Sequence, residues 1–378
     1  MKRNMLLAVV CALMVGLVSC LDFDEQEIYA EHDQKADRLL FLICYRGLYQ
    51  GAGDAPATEQ LEKAVQNEGV ALLSHWPFSG YLKEVREQLA APPKADDDTP
   101  AEIRKDALAL LGHIKALQGG FFVDLKGRLC GSQVLIIEKP GEAIPLSNRL
   151  ISAAIIHEAQ KNPPQDEQGR LALDLARKNH VWVSLKGQSI VMSMPMPEEQ
   201  FAQGREQLVA NLIGGGDYAT DALRKQALRD ILSNPVFVWH EDSMLSVKVG
   251  VEGRPWRCVT KPALGKYQPN LMEHVKDKYG LHLEENIVKY LSNPDAPAQT
   301  EAEQAAKLIA PRLKKTDLVL FLVRALKEKP SEALRARLRA VPLKPELQQE
   351  GEVTDDQRLA LWENWLRGEA LPRPPEKK

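Results

Sequence analysis

The chain has 378 residues, of which 44% are hydrophobic and 27% are charged, and its formal net charge at pH 7 is −3. This length exceeds one ordinary hydrophobic core and predicts two or three domains. A nucleic-acid-binding protein carries a basic surplus, so the mild acidity argues against nucleic acid as a partner. It indicates no strongly charged substrate either.

The first 19 residues have the pattern of a secretory signal peptide. Lys2 and Arg3 form a charged start, and an apolar run extends from Met5 to Val18. That run is too short to serve as a permanent membrane-spanning helix. We therefore expect residues 1–19 to be removed from the mature protein.

The four residues LVSC, at positions 17–20, resemble the lipobox of bacterial lipoprotein precursors. The resemblance implies that Cys20 becomes the first residue of the mature chain, with diacylglycerol on its sulfur and an N-acyl chain such as palmitate. Two or more acyl chains anchor a protein stably, because each buried methylene adds about 0.8 kcal/mol. The alternative is an ordinary cleaved signal peptide in which Cys20 is incidental. The resemblance covers only the first 20 residues of the chain.

The same resemblance implies a cellular location. A lipoprotein of this kind lies on the periplasmic side of a bacterial membrane. In enteric bacteria an aspartate directly after the cysteine favours retention at the inner membrane. Leu21 stands there in this chain, with Asp22 one place later, so we expect the outer membrane rather than the inner one.

Three of the five cysteines remain once Cys11 has left with the leader and Cys20 carries lipid. They permit at most one intramolecular disulfide. Cys44 lies in an apolar run and is predicted to be a buried thiol. The sequence leaves open whether Cys130 and Cys258 form a disulfide in an oxidising envelope.

Residues 20–97 predict an N-terminal hairpin followed by helices. Alternating and apolar runs over 26–49, separated by QKAD, indicate the hairpin. Its second strand is apolar on both faces, which is typical of a central strand. Helices near 57–68 and 80–91 follow.

Residues 98–293 predict two or three hairpin–helix–helix units. First, Thr99 and Pro100 indicate a helix start, and an apolar stripe over 103–117 predicts a helix that Gly119 and Gly120 end. The segments FFVDLKGRL, from 121, and VWVSLKGQS, from 181, then share V-x-L-K-G.

Each shared segment predicts a strand, a tight two-residue turn at Lys-Gly and a second strand. The helices expected after them are near 147–160 and 169–179 in the first unit, and near 198–212 and 217–233 in the second. A weaker third copy begins at 235 and is followed by a helix near 270–279 that Gly280 caps.

Residues 300–368 predict a helical C-terminal domain, and 369–378 a disordered tail. Helices are expected near 300–310, 316–328, 331–340 and 354–367, with Ser331 and Thr354 as N-caps and Gln357 completing a capping box. The predicted fold class is therefore α+β, with antiparallel hairpin–helix units and an all-helical C-terminal domain.

No residue pattern predicts a metal or cofactor site. HEAQK, at 157–161, is half of the zinc-protease motif, but Lys161 stands where the second histidine ligand would be. His157 is therefore expected to be a partly buried helix residue. His274 and His282 have no Cys-x-x-Cys motif or close second histidine beside them. His240, Glu241 and Asp242 form a polar cluster at a hairpin tip that could attract a cation, but a turn needs polar residues in any case. GGGDYA, from Gly214, follows a helical segment, whereas a dinucleotide fingerprint follows a strand.

No motif identifies a catalytic residue. The chain contains no P-loop, no G-x-S-x-G and no EF-hand loop. A catalytic carboxylate pair stays open, because spacing alone does not identify one.

The aromatic residues Phe122, Trp182 and Trp239 occupy similar places in the three hairpins. We expect helices to cover them; the alternative is an exposed stacking surface for sugar or peptide. Trp362 and Trp365 are expected to anchor the core of the last helix.

We expect a non-enzymatic envelope lipoprotein that acts as a binding, scaffolding or assembly factor. Its partners would be the lipid bilayer, through the anchor, and an envelope protein of unknown identity. The alternative is an envelope hydrolase that acts on peptide or glycan through an unrecognised active site.

Overall fold

The computed structural model describes residues 21–50, 56–68, 82–93, 98–187, 189–198, 237–240, 243–249, 256–259, 269–348 and 351–370. Within these residues antiparallel hairpins combine with helices, which confirms the predicted α+β class. The chain divides into two compact units. Unit one contains Met1–Tyr45, Tyr49–Leu117 and Gln133–Leu271, and unit two contains Arg46–Leu48, Gln118–Ser132 and Met272–Lys378.

The strands form two sheets, of order β3-β4-β2-β1-β9 and β5-β6-β8-β7. In chain order they are β1 (Leu21–Asp33), β2 (Arg38–Gln50), β3 (Ile114–Val123), β4 (Leu129–Glu138), β5 (Val183–Lys186), β6 (Ser189–Pro195), β7 (Phe237–His240), β8 (Met244–Val249) and β9 (Trp256–Val259).

The described helices lie between and after these strands. They are α1 (Ala57–Gln66), α2 (Leu82–Ala90), α3 (Ala101–Gly112), α4 (Pro140–Lys161), α5 (Glu167–Arg177), α6 (Pro269–Lys278), α7 (His282–Ser292), α8 (Glu301–Ile309), α9 (Lys315–Glu328), α10 (Glu332–Ala340) and α11 (Asp355–Ala370), with short 3₁₀ turns at Ala310–Arg312 and Pro345–Leu347.

The predicted N-terminal hairpin is confirmed, and QKAD forms its turn. Asp33 holds this turn in place: its carboxylate accepts hydrogen bonds from the Ala36 N–H at 3.1 Å and from the Arg38 guanidinium at 3.0 and 3.1 Å. Partial burial acts to raise the pKa of Asp33. The hydrogen bonds and the charge of Arg38 outweigh it, so this pKa is lowered.

The second strand of the hairpin lies inside the five-stranded sheet, as its sequence predicts. Every side chain from Leu39 to Tyr45 is at most 9% exposed, including the predicted buried thiol of Cys44. The first strand of the hairpin, β1, has β2 on one side and pairs antiparallel with β9 on the other. In this pairing Glu25 lies opposite Val259, and Ile28 lies opposite Trp256. The sequence analysis did not identify β9, because four residues are too few for a periodic pattern.

The predicted helix over 103–117 is wrong in its second half. The helix α3 ends at Gly112 and β3 begins at Ile114. Its N-cap is Pro100 rather than Thr99, without a side-chain capping hydrogen bond. Pairing with β4 overrides the helical spacing, because strand preference is decided by the neighbours that a side chain meets.

Gly119 and Gly120 belong to that strand instead of ending a helix. A Cβ at Gly119 would lie 2.3 Å from Ser132 Oγ and 2.5 Å from Ile309 Cδ1. The missing side chain therefore permits close packing within unit two, which is a common role of glycine inside a strand.

Both Lys-Gly turns are present, but they differ in length. Gly127 and Gly187 have φ values of +74° and +62°. The loop between β5 and β6 has two residues, as predicted, but it starts at Gly187 and not at Lys186, because Lys186 still pairs with Ser189. The β3–β4 hairpin has a three-residue loop instead. In this loop the Gly127 N–H donates to the Asp124 carbonyl at 3.0 Å. This is a type I turn followed by a glycine bulge.

The predicted hairpin units are only partly alike in their surroundings. The β3–β4 hairpin lies in the five-stranded sheet and is followed by two helices, α4 and α5, as predicted. The start of α4, predicted near 147, is wrong, because the helix begins at Pro140 and contains Pro145. The other two hairpins form the four-stranded sheet. The helices predicted near 198–212 and 217–233 lie outside the described residues. In the third unit β9 precedes the predicted helix, whose Gly280 cap is confirmed by its N–H bond to the Val275 carbonyl at 2.9 Å.

The helices predicted after residue 300 are confirmed, with their caps. Ser331 Oγ accepts from the Leu334 N–H at 3.2 Å. Thr354 and Gln357 form the reciprocal capping box, with bonds of 3.3 and 2.9 Å. The apolar stretch of α9 forms the core of unit two, where Phe321 is fully buried.

Candidate functional site

The candidate site is a groove of about 530 Å³ in unit one. One wall is the first half of α4, and the other is β5 with the residues just before it. We call it the α4–β5 groove. Its lining is mainly apolar and includes Ile144, Pro145, Asn148, Val181, Val183 and Leu185.

The α4 wall owes its shape to two prolines. Pro140 begins the helix, where its missing N–H costs no helical hydrogen bond. Pro145 lies inside the helix and has no N–H to donate to the carbonyl four residues earlier, that of Gly141. Both Pro145 and Gly141 line the groove, so this wall is apolar and carries an acceptor that lacks its usual helical partner.

The β5 wall is the outermost strand of the four-stranded sheet. Val183 N–H donates to Asn148 Oδ1 at 2.7 Å, and Asn148 Nδ2 donates to the Val183 carbonyl at 2.9 Å. The Asn148 amide thus occupies the place of one peptide unit of a neighbouring strand. Because alternate residues of a strand direct their main-chain groups the same way, those of Leu185 also point away from β6.

A second bond holds the two walls together. Trp182 Nε1 donates to Ser152 Oγ on α4 at 2.9 Å. The Trp182 ring is 5% exposed and packs against Ile155, Ala172 and Ala176. The groove is therefore braced at two points along α4, and its shape is fixed before any ligand arrives.

Val181, which lines the groove, is 56% exposed and is the one exposed large hydrophobic residue among the described residues. A single exposed valine is ordinary on a protein surface. Its place beside an apolar groove of ligand-binding size makes this one notable, because binding pockets typically measure about 300–1,000 Å³.

The rim of the groove carries charge that is already paired. Arg149 Nε lies 3.2 Å from Asp106 Oδ2 on α3, and both side chains are partly exposed. This pairing leaves the groove without a strong net field, so it suits an uncharged apolar group better than a charged ligand.

The prediction that helices cover the hairpin aromatics is confirmed for two of the three residues. Phe122 is fully buried and meets Phe321 edge-to-face, with ring centroids 5.6 Å apart. Trp182 is covered as described above. The side chain of Trp239 lies outside the described residues. The predicted anchoring of the last helix is confirmed by Trp362, which is 2% exposed.

The HEAQK segment contacts a carboxylate of the same unit. His157 and Lys161 are one turn apart on α4, and both approach Asp98: Lys161 Nζ lies 2.6 Å and His157 Nε2 3.9 Å from Asp98 Oδ1. The hydrogen bond from Lys161 lowers the pKa of Asp98. His157 is partly buried on the helix, as predicted.

The other histidines are also spread apart. Among the described residues no three His, Cys, Asp or Glu side chains are grouped as a metal site requires. His282 Nδ1 pairs with Glu285 at 3.1 Å, and His274 contacts the ring of Tyr279. His240 Nε2 lies 2.9 Å from Ser246 Oγ on the exposed face of the β7–β8 hairpin.

Several predicted residues lie outside the described part. These are Cys20, the GGGDYA segment and the side chain of Cys258. Cys130 is buried, and its Sγ donates to the Arg128 carbonyl at 3.5 Å. No helix in the described ranges is both long enough and apolar enough to cross a bilayer.

The sequence analysis did not predict the α4–β5 groove. Asn148, Ser152 and Val181 are unremarkable in a sequence, and the residues that touch are about 30 positions apart, as Trp182 and Ser152 are. Comparisons with known proteins return no match to this chain, whether against protein-family models, curated proteins or solved structures.

Proposed function

We propose that this chain is an envelope lipoprotein, anchored through acyl chains on Cys20, that holds an apolar segment of a protein partner in the α4–β5 groove. It acts as a binding or scaffolding factor on the periplasmic side of a bacterial membrane, most simply the outer one. The observation that carries the binding role is the preformed apolar groove with Val181 exposed beside it.

The geometry supports a peptide segment as the bound group. The outward main-chain groups of Leu185 offer one donor and one acceptor at a strand edge, while the apolar lining offers room for a side chain. Peptide recognition at sheet edges combines these two elements. Asn148 occupies the adjacent edge position, so a bound strand is limited to a short stretch.

The lipid role is supported by the leader and the LVSC segment. Metabolic labelling with an alkyne fatty acid tests it in the native host. We expect label on the wild-type protein and none on Cys20→Ala. Equal labelling of the two proteins, or no label on either, would refute the anchor.

The binding role is tested with a photo-crosslinking amino acid placed at two groove positions, Val181 and Ile144. The matched control is Glu87, which is exposed on α2 of the same unit and does not line the groove. We expect both groove positions to capture one partner through the same apolar segment of that partner. Capture of the same protein from Glu87, or of different proteins from the two groove positions, would contradict the proposal.

The hydrolase alternative has one observation to weigh, the contact between His240 and Ser246. A catalytic serine is activated by a histidine that acts as its base, and a third group commonly orients that histidine. His240 is exposed, and neither residue lines the α4–β5 groove. We therefore do not propose a hydrolase. A fluorophosphonate probe that labels the wild type but not Ser246→Ala would reverse this choice.

A further inference from the structure

We infer that the α4–β5 groove selects a partner segment in which a short apolar core is flanked on both sides by carboxylates. This inference rests on the proposed binding role of the groove and adds the chemistry of the bound segment to it. Three features of unit one carry it: a strand edge that is open at one residue, unpaired positive charge at both ends of the β5 wall, and balanced charge on the α4 wall.

The edge of β5 offers main-chain hydrogen bonds to a partner at one residue. Asn148 takes both main-chain groups of Val183. The Gly187 carbonyl, past the other end of the strand, accepts a hydrogen bond from His32 Nδ1 at 3.2 Å. The outward groups of Leu185 lie between these two closed positions. Hydrogen bonds to one main-chain position do not distinguish one peptide from another, so the side chains of the bound segment decide which peptide binds.

The β5 wall carries positive charge at both of its ends. The segment 175–187, LARKNHVWVSLKG, contains three Lys or Arg residues and no Asp or Glu. Arg177 and Lys178 precede the residues that line the groove, and Lys186 follows them; all three are exposed. Within the described part of the chain no ion pair involves any of these three side chains. Their charges are therefore available to a partner.

These cations lie within reach of a bound segment. Lys178 is one peptide away from Asn179, and Lys186 is one peptide away from Leu185, so in each case the Cα atoms are about 3.8 Å apart. Asn179 and Leu185 both line the groove. A lysine side chain is longer than this distance, so a carboxylate at either end of a bound segment can meet an ammonium group.

A Schellman motif holds the first of these ends in place. The His180 N–H donates to the Leu175 carbonyl at 3.0 Å, and the Asn179 N–H donates to the Ala176 carbonyl at 3.1 Å. Asn179 has a φ of +53°, the left-handed conformation that this motif requires and that asparagine tolerates. The wall is therefore ordered before a partner binds, which lowers the entropy cost of binding.

The helix dipole explains only part of this charge. Arg177 lies in the last turn of α5, where a positive charge also complements the dipole of the helix. Lys186 is the last residue of a strand, and no helix end accounts for it. Positive charge at both ends of the wall therefore indicates a role outside the stability of α5.

The α4 wall adds no net charge to the groove. Arg149 is paired with Asp106, and Lys139 Nζ lies 3.4 Å from Glu142 Oε1. The described residues that line the groove include no Asp or Glu. The interior of the groove therefore suits an uncharged apolar group, whereas the two ends of the β5 wall attract negative charge. Charge complementarity then favours acidic residues on both sides of an apolar core.

The experiment measures the binding of fluorescent peptides to the full chain by fluorescence anisotropy. The chain is held in phosphatidylcholine nanodiscs, and empty nanodiscs give the background. Each peptide has about seven residues, the length that an extended segment needs to reach from Lys178 to Lys186. Three peptides share the core Val-Leu-Val and have acidic, neutral or basic flanks, and a fourth has acidic flanks around Gly-Ser-Gly. We expect the acidic peptide with the apolar core to bind about tenfold more tightly than each of the others.

A charge swap separates attraction from damage to the fold. Lys178→Glu with Lys186→Glu leaves one cation against two carboxylates on the β5 wall. We expect this variant to prefer the basic peptide over the acidic one, a reversal that unfolding cannot produce. The matched control is Lys83→Glu with Lys276→Glu, two exposed positions that do not line the groove. We expect this control to keep the preference of the wild type.

The outcomes distinguish the inference from the proposed function on which it rests. Equal binding of the acidic and neutral peptides, or a preference that the charge swap leaves unchanged, would overturn the inference and leave the apolar groove as a binding site. If no peptide binds, or if Val181→Asp binds the acidic peptide as tightly as wild type, the proposed groove itself is refuted and the inference with it.

Two other occupants of the groove are tested with the Cys20→Ala chain, which lacks the proposed anchor. Sedimentation velocity detects a second copy, and co-sedimentation with phosphatidylglycerol vesicles detects a lipid surface. We expect a monomer that stays in solution. A dimer that the charge swap dissociates, or vesicle binding that the charge swap abolishes, would assign the cations to that occupant and overturn the inference.

Discussion

The buried ion pair of unit two offers the sharpest test of how this fold is stabilised. Arg46 Nη2 lies 2.6 Å from Asp317 Oδ2, and the two side chains are 2% and 3% exposed. The Arg46 guanidinium also lies 5.8 Å from the centroid of the Phe122 ring. We expect Asp317→Asn to destabilise unit two by about 3–5 kcal/mol, because it removes the negative charge with which the buried guanidinium forms its short ion pair.

Urea unfolding at pH 7, followed by circular dichroism, measures this cost. With a slope of about 2 kcal/mol per molar urea, the midpoint is expected to fall by roughly 1.5–2.5 M. The matched control is Glu138→Gln, which breaks the Lys115–Glu138 pair. That pair is nearly as short, at 2.8 Å, but its side chains are 59% and 47% exposed. It should cost at most about 1 kcal/mol, because water and salt screen an exposed pair.

A double substitution separates the loss of charge from the loss of packing. Arg46→Met with Asp317→Leu removes both charges and keeps most of the volume, so we expect it to be far less destabilising than Asp317→Asn alone. The reasoning fails if Asp317→Asn costs no more than Glu138→Gln, or if the double variant is the least stable of the three.

Three further predictions concern unit one and the surface of unit two. Asn148→Ala should cost about 1–3 kcal/mol in urea unfolding, because it leaves two main-chain groups of β5 without their partner, and it should lower crosslinking from the groove; an unchanged midpoint would contradict the brace. Asp33→Asn should cost less than about 1 kcal/mol at pH 7. Since the pKa of Asp33 is lowered on folding, largely through the turn N–H and Arg38, its contribution is present above the unfolded pKa of about 3.9 and is lost as the pH falls through the folded pKa. The stability difference between wild type and Asp33→Asn should therefore shrink in acid, and a constant difference would refute this assignment. Burial raises the pKa of Glu284 despite Arg324, so stability falls as the pH rises from the unfolded to the folded pKa; relative to wild type, Glu284→Gln should therefore be more stable at pH 7 than at pH 3, where both side chains are neutral, and a clear loss at pH 7 would show that the pairing with Arg324 dominates.

Local patterns predicted the parts of the fold that depend on neighbouring residues. The capping box of Thr354 and Gln357, the Gly280 cap and the turn at 34–37 are each decided within a few positions, and each is as predicted. The apolar second strand of the N-terminal hairpin, β2, also indicated its place inside a sheet. A strand that is covered on both faces can be apolar on both faces.

The same local reasoning failed where a distant partner decides. The stripe over 103–117 has helical spacing, yet its last residues pair with β4. Gly119 resembles a helix end, but its role depends on Ser132 and Ile309, which meet it only in the folded unit. No periodicity within ten residues contains that information.

The sequence by itself predicted the α+β class and several helix caps, because these depend on residue types at short spacing; the leader and the acylation motif at Cys20 are further predictions from such short patterns. Tertiary structure alone decided which hairpins share a sheet, and it alone assembled the α4–β5 groove. Asn148 meets Val183, and Ser152 meets Trp182, across the chain that folds between them. A binding surface of this kind exists only after packing, because its walls come from segments whose spacing in the chain carries no sign of their contact.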